Sequence, residues 1–347
     1  MKNKIIYIFL IFAFFVNPSN SEENFYNFET KEIKIINNGN IINAKNGKVT
    51  SQNDKIEVIA TNFEYFKDTQ LLKITGEGNV LFKENNLKIY FDKAEIDQKK
   101  QLLKVYGEIK VINSNENIMI SSKEIIYNFN DEIIYSLKKS KIRDNFENKI
   151  NADNFHYDVD KNLIKLNSLV LTDKFDNVFK TSIAYLNTKT NNLYGKDIHL
   201  NLGKQILNPE NEPRIKGKSI KNTKNSMEIS KGVFTTCKKR DGCPPWQISA
   251  KKINHNKIKK IISYKDAFLA VYNVPVIYLP KFSHPDPTVK RQSGFLSPYF
   301  KSSNNKKNYF GIPYFFVISD NKDATFSPRV YDKEFLLQTE YRQKNFK

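Results

Sequence analysis

Thr61–Phe66 (TNFEYF), Asp92–Asp97 (DKAEID), Ser122–Tyr127 (SKEIIY), Asp153–Asp158 (DNFHYD) and Thr181–Leu186 (TSIAYL) are one short phrase written five times. Their anchors are Tyr65, Ile96, Tyr127, Tyr157 and Tyr185, so the step is about 30 residues. Each anchor is followed within several residues by an apolar pair: Leu71-Leu72, Leu102-Leu103, Ile133-Ile134, Leu163-Ile164 and Leu193-Tyr194. A step held this constant marks a chain built from repeated units.

Within each unit the period is two. Leu87, Ile89 and Phe91 alternate with Lys88, Tyr90 and Asp92, and Ile198, Leu200 and Leu202 alternate with His199, Asn201 and Gly203. This is the pattern of a strand with one buried face. Turn signals punctuate it at Gly76-Glu77-Gly78-Asn79, Glu84-Asn85-Asn86, Asn113-Ser114-Asn115 and Thr190-Asn191-Asn192. One unit cannot bury its apolar face alone, so the units must stack into a solenoid-like or jelly-roll sheet. The periodicity leaves open whether the inward face encloses a channel or a filled core. The expected fold class is all-β.

The N-terminus reads as an export signal over residues 1–21. Lys2 and Lys4 precede an apolar run from Ile5 to Val16, Pro18 breaks it, and Ser19-Asn20-Ser21 suits a cut before Glu22. The run is short of the roughly 20 apolar residues of a membrane span. No cysteine follows it to carry a lipid. An exported chain makes nucleic acid a poor partner despite the net charge of +19. That charge fits an acidic lipid or membrane surface, or a Lys/Asn/Ile-biased composition alone.

Cys237 and Cys243 are the only cysteines. They lack the further close ligands of a zinc site, so no metal is expected. Either they form a local disulfide around a turn, or each pairs with a cysteine that this sequence does not contain. His156, His199, His255 and His284 are scattered without a metalloprotease spacing, and neither a nucleophile elbow nor a phosphate-binding glycine loop occurs. His284-Pro-Asp286 reads as a turn. Neither an enzyme nor a cofactor is expected.

The phrases Gly76-Glu-Gly-Asn-Val80 and Gly107-Glu-Ile-Lys-Val111, with the anchors above, resemble the OstA-like repeat of lipopolysaccharide transport proteins. The second half narrows this. Phe234-Thr-Thr-Cys237, Cys243-Pro-Pro-Trp246 and His255 are followed by Tyr264, Ala267, Leu269, Val274-Pro275-Val276, Tyr278, Pro280, Phe282 and Pro285. Then come Lys290-Arg291-Gln-Ser293-Gly294-Phe295-Leu296-Ser-Pro298, Gly311-Ile-Pro313-Tyr314-Phe315 and Asp323-Ala-Thr-Phe-Ser-Pro328-Arg329. This series is similar to the lead into the barrel of the outer-membrane lipopolysaccharide-assembly family.

The resemblance implies a periplasmic OstA-like β jelly roll over 22–230, a Cys/Pro-rich connector over 231–289, and the first strands of an outer-membrane barrel over 290–347. Prolines 275, 280, 285 and 287 agree with an extended connector, since none can serve in a helix or a central strand. From 290 on there is room for about four membrane strands, whereas single-chain barrels have at least 8, so the chain reads as the leading part of a longer one. The aromatic residues from Phe295 to Phe316 suit the girdles of such strands.

The implied function is lipopolysaccharide assembly at the outer membrane. Its partners are lipopolysaccharide, a periplasmic bridge protein of the LptA type docked on the N-terminal strands, and an outer-membrane plug lipoprotein of the LptE type. Leu87, Ile89, Phe91, Ile118, Ile120, Phe155, Tyr157, Ile183 and Tyr185 would line the lipid path. Pro298 and Pro313 would loosen the lateral gate. Each proline otherwise marks a strand end. The alternatives are a soluble periplasmic lipid carrier of the same OstA-like family, and a structural repeat protein with a filled core.

Overall fold

The computed structural model describes residues 25–115, 117–203, 212–238, 244–286, 289, 291–296, 299–303, 306–331 and 333–344. The signal segment 1–21, Cys243 and Pro298 lie outside them. Strands appear where period-two patterning and Asn-rich turns placed them. The first seven are β1 (Tyr26–Ile36), β2 (Ile41–Ser51), β3 (Ile56–Phe66), β4 (Leu71–Phe82), β5 (Leu87–Asp97), β6 (Leu102–Asn113) and β7 (Ile118–Asn128). β8 (Ile133–Ser136) and β9 (Ser140–Arg143) follow β7's edge as one broken strand. β10 (Lys149–Ala152) and β11 (Asn154–Asp158) lie along β12 (Leu163–Thr172) in the same way. Next come β13 (Val178–Asn187), β14 (Leu193–Asn201), β15 (Arg214–Asn222), β16 (Ser226–Thr235), β17 (Trp246–Asn256), β18 (Ile261–Val271) and β19 (Val274–Pro285). These 19 strands form one antiparallel sheet in which successive strands are neighbours, apart from β8 with β9 and β10 with β11, which share a neighbour as segments of a broken strand.

Most of the long strands carry a break in the alternation near the middle. In β3 the buried residues are Ile56, Val58 and Ala60, then Phe63 and Tyr65; in β5 they are Leu87, Ile89 and Phe91, then Ala94 and Ile96. β13 repeats this with Phe179 and Thr181, then Ala184 and Leu186. Opposite these breaks, the returning strands hold residues in the left-handed region: Gly76, Gly107, Ser168, Asp197, Lys231 and Asp266. Extra residues of this kind are β-bulges, which bend and twist a strand. Repeated in every second strand, they draw a crease across the sheet. Both halves of each strand then turn their apolar side chains to a common interior.

The repeat is visible in the register. Tyr65 pairs with Leu72, Ile96 with Leu103, Tyr127 with Ile134 and Tyr157 with Ile164. In the fifth unit the pair is Leu186 with Leu193. The anchor there is Leu186, not Tyr185. All ten of these paired residues are buried, and they belong to a single apolar core running from Tyr26 to Ala267. Each large aliphatic side chain so buried stabilises the fold by about 1.5–3 kcal/mol.

The expected connector 231–289 is a correction. It holds the end of β16 and all of β17, β18 and β19, so the roll reaches Pro285. Its prolines are accommodated because, among the described strands, β19 is registered with β18 alone, leaving its other edge without ladder bonds to lose.

Beyond it lies a separate six-stranded antiparallel sheet: β20 (Gly294–Phe295), β21 (Tyr299–Ser303), β22 (Lys306–Gly311), β23 (Tyr314–Ser319), β24 (Lys322–Val330) and β25 (Phe335–Gln343). That is more strands than the four expected, because β20 to β23 are only 2 to 6 residues long. Phe295, Phe300, Phe316, Phe335, Leu336 and Leu337 stand exposed on it. Asp323 is buried between the guanidinium groups of Arg291 and Arg342, with Arg342 Nε donating at 2.7 Å.

Candidate functional site

The crease brings the two sets of turns at the strand ends together as a pair of lips. One lip carries Asn85, Asn113 and Asn148; the other carries Tyr127, Tyr157 and Asn191. The side-chain amide of Asn85 donates to the Tyr127 hydroxyl at 3.4 Å, that of Asn113 to the Tyr157 hydroxyl at 3.2 Å, and that of Asn148 to Asn191 Oδ1 at 3.2 Å. The partners are 42, 44 and 43 residues apart, so the lips close with a constant offset of about one and a half repeats. At the N-terminal end Gln98 donates to the Tyr26 hydroxyl at 2.7 Å. Phe82 meets Tyr127 edge-on across the same seam, with ring centroids 4.7 Å apart. Burial pushes the Tyr26 hydroxyl pKa far up, and that of Tyr127 up to about 12, in each case against the lowering effect of the amide.

Of the nine residues expected inside, Leu87, Ile89, Phe91, Ile118, Ile120, Phe155 and Tyr157 are buried in the interior. The other two are not. Ile183 is half-buried, and Tyr185 is 40% exposed on the outer face. The alternation slips at Ser182-Ile183, which turns Ala184 and Leu186 inward instead. At the seam of the first units lies a cavity of about 440 Å³, lined by Phe25, Ile56, Phe82, Tyr127 and Phe129 together with polar turn residues.

Towards its C-terminal end the roll opens into a cavity of about 360 Å³. Phe175, Phe179, Leu200, Ile215, Met227 and Phe234 are among the residues that line it. That volume sits at the low end of small-ligand sites, roughly 300–1,000 Å³, and the apolar lining suits a hydrocarbon rather than a polar ligand. Sequence reasoning marked only Leu200 of these as one face of a strand. The distance along the chain from Phe175 to Phe234 hides that they share a cavity.

Polar groups sit at the cavity's edge. His255 Nε2 and Asp286 Oδ2 approach to 2.5 Å, off the line of a good hydrogen bond. Burial lowers the His255 pKa, opposed by the Asp286 carboxylate. Lys257 Nζ donates to Asn222 Oδ1 and the Thr223 carbonyl, both at 2.7 Å, and burial lowers its pKa. The Tyr264 hydroxyl lies 3.0 Å from His284 Nε2, and His284 Nδ1 lies 2.7 Å from the Pro285 carbonyl. The second contact requires a proton on Nδ1, so Nε2 of a neutral His284 accepts from Tyr264. His284 and Asp286 therefore face different partners, His284 meeting Tyr264 and Asp286 meeting His255. Among the described residues no group of three His, Cys, Asp or Glu is placed to hold a metal.

Pro313 is buried between β22 and β23, and its carbonyl accepts from the Leu296 amide at 2.8 Å. It stands at a strand end within the small sheet. Pro298, expected beside it, is outside the described residues. So is Cys243, which leaves the Cys237–Cys243 pairing as an expectation. Cys237 is half-buried, its amide donating to Thr235 Oγ1 at 3.2 Å.

Comparison with known proteins shows what these features are similar to. Residues 5–173 match the model described as lipopolysaccharide-assembly, LptC-related. The LPS-assembly protein LptD of Idiomarina loihiensis is 38% identical over 111 residues, 31% of this chain and 14% of that protein. LptD of Pseudomonas fluorescens is 30% identical over 154 residues, 42% of this chain and 16% of that protein. The matched stretches thus span less than a fifth of these relatives. A crystal structure of LptH, the LptA-homologous periplasmic component of the lipopolysaccharide transport device of Pseudomonas aeruginosa, aligns with 33% of this chain and 84% of its own, at 16% identity and a TM-score of 0.30. That last likeness is too slight to carry weight. The matched family model and both relatives are lipopolysaccharide-assembly proteins, and the reading of the chain as a non-enzyme rests on them. Over residues 5–173 the chain is thus similar to the LptC-related lipopolysaccharide-assembly family, and it is similar in sequence to LptD over 111 to 154 residues.

Proposed function

We propose that this chain receives lipopolysaccharide at its N-terminal end, carries the acyl chains through the creased roll, and hands them to a barrel begun by β20–β25 for delivery to the outer leaflet of the outer membrane. The observation that supports this best is the continuous apolar interior from Tyr26 to Ala267, which widens into the cavity at Phe179 and Phe234. Burial of hydrocarbon stabilises by roughly 0.8 kcal/mol per CH₂, so several acyl chains in such a path would be held strongly. Movement along it then needs a push from behind.

β1 is suited to receive that push. It pairs with β2 alone among the described strands, and Ile33 and Ile35 stand exposed on it. A strand of an LptA-type bridge protein would add to its free edge by backbone hydrogen bonds. At the other end, the exposed phenylalanines and leucines of β20–β25 favour lipid or further strands over water. This favours the outer-membrane reading over a soluble periplasmic carrier. A plug lipoprotein of the LptE type would sit inside the completed barrel. Pro313, at the end of β22, stands where the first barrel strands would part.

Density fractionation of native cells, with an antibody to the repeat region, tests the placement. The proposal expects the protein in the outer-membrane fraction. A species that stays in the soluble periplasm would replace the barrel reading with that of a carrier.

A further inference from the structure

The outer face of the last three strands of the roll carries an arrangement that folding alone disfavours. Lys252 of β17 lies directly opposite Lys265 of β18, and Lys265 lies directly opposite Lys281 of β19. All three are exposed. Directly opposed residues on adjacent antiparallel strands have their Cβ atoms about 4.5–5.5 Å apart, and like charges there are destabilising. Glu228 reaches Lys252 at 2.7 Å, but among the described residues no acid is paired with Lys265 or Lys281. The nearby Asp266 accepts from the Tyr278 hydroxyl at 3.2 Å.

The lysines also share a concavity. Together with Asn254, Ser263 and Ser283 they line a groove of about 420 Å³. Asn254, Ser263 and Ser283 form the neighbouring cross-strand row, so hydroxyl and amide donors lie beside the ammonium groups. Tyr264 and Phe282 also line the groove, and Tyr264 is shared with the apolar cavity. It lies on the last three strands of the roll, which in the chain directly precede the second sheet beginning at Gly294.

We propose that this groove docks the roll onto the phosphate headgroups of an anionic lipid surface. Three ammonium groups held side by side, with neutral donors next to them, match phosphate oxygens better than they match one another. The position supports a surface over a free anion, because Lys281 lies on the strand that leads into the sheet proposed to enter the membrane. The inference rests on that membrane reading and adds a second contact to it, made by the outside of the roll.

The test is flotation of the full chain with vesicles of phosphatidylcholine alone and with about one third phosphatidylglycerol, at low and high salt. The proposal expects anionic lipid to increase binding at low salt. In the triple variant K252Q/K265Q/K281Q that increase should fall by roughly 100-fold, at about 1 kcal/mol for each lysine near such a surface. The triple arginine variant should retain it. The glutamine variant relieves like-charge opposition and gives up the exposed Lys252–Glu228 pair, so it should melt within a few degrees of the parent and a failure to fold is recognisable. An unchanged anionic gain in the glutamine variant, or no gain in the parent, overturns the proposal. Loss of the gain to inorganic phosphate at matched ionic strength assigns the groove to free phosphate and overturns the surface. Binding to the neutral vesicles reports separately on the second sheet. If it is absent while a lysine-dependent gain remains, the membrane-sheet reading fails and the docking inference stands.

Discussion

Asn113 and Tyr157 meet across the two lips of the roll at 3.2 Å although 44 residues separate them, and the pairs on either side keep nearly the same separation. The closure is thus a property of the repeat. Asn85 and Asn113 each present an amide to the anchor tyrosine one and a half repeats later, and Asn148 presents one to Asn191 at the same offset. The seam is polar and shallow, whereas the interior is apolar, so the lips are the weakest wall of the path.

The N-terminal closure of that wall should be measurable. Tyr26→Phe removes the hydroxyl that accepts from Gln98 at 2.7 Å and leaves the buried ring in place. The expected cost is about 0.5–1.5 kcal/mol, the net worth of a typical hydrogen bond. A urea midpoint identical to the parent's would show that the contact does not hold the lips.

The same hydroxyls predict alkaline sensitivity. Burial raises the Tyr26 pKa and raises that of Tyr127 to about 12, so the folded roll keeps protons that the unfolded chain gives up near the ordinary value of 10.0. Stability from these groups is complete below pH 10 and declines as pH rises from there towards 12. Tyrosinate absorbance and far-UV circular dichroism should therefore change together in that window. Full ionisation of the tyrosines with the strand signal intact would contradict this burial.

At the mouth the sign is reversed. His255 has a lowered pKa, chiefly from burial, so its contribution is present above the ordinary value of 6.5 and is lost as pH falls through the lower folded value. Acidification should loosen the end of β17 before the N-terminal units, seen as faster amide exchange near Asn256. In His255→Gln that acid-induced step should disappear, and its persistence would assign it to other groups.

Register can be tested at two adjacent residues. Leu186 is buried and Tyr185 is exposed. Leu186→Ala should cost about 2–5 kcal/mol through the cavity it leaves, whereas Tyr185→Ala should stay within about 0.5 kcal/mol. The reverse order would restore Tyr185 as the anchor.

The crease depends on glycine at one position above all. Gly107 has a φ of +106°, and an added Cβ would fall against the Asp92 side chain, whose carboxylate accepts from the Glu108 amide at 2.8 Å. Gly107→Ala should destabilise by about 1–3 kcal/mol, from strain and the crowded carboxylate together. Gly39 has a similar φ of +92° but open space around it, so its alanine variant carries the strain alone and should cost less.

What the sequence revealed was local. Strands, turns and repeat step follow from alternation and from Asn and Gly placement, which act over a few residues. The slip at Ser182-Ile183 escaped that reading because TSIAYL offers both Tyr185 and Leu186 as the anchor, and only pairing with Leu193 decides between them. Prolines 275, 280 and 285 suggested a connector because they exclude a central strand; that β19 has only β18 beside it among the described strands is a fact of register. The cavity from Phe175 to Phe234 and the row Lys252–Lys265–Lys281 depend on register across several strands, which no local pattern encodes.

The central claim is that acyl chains travel inside the roll, and a photo-activated crosslinker placed in cells tests it most directly. Substituted at Phe179 or Phe234 in the cavity, and at Tyr185 on the outer face as the control, it samples both sides of one wall. The account predicts capture of lipopolysaccharide from the two cavity positions and little from Tyr185. Equal capture from all three, or none from the cavity positions in a protein that reaches the outer membrane, would contradict it.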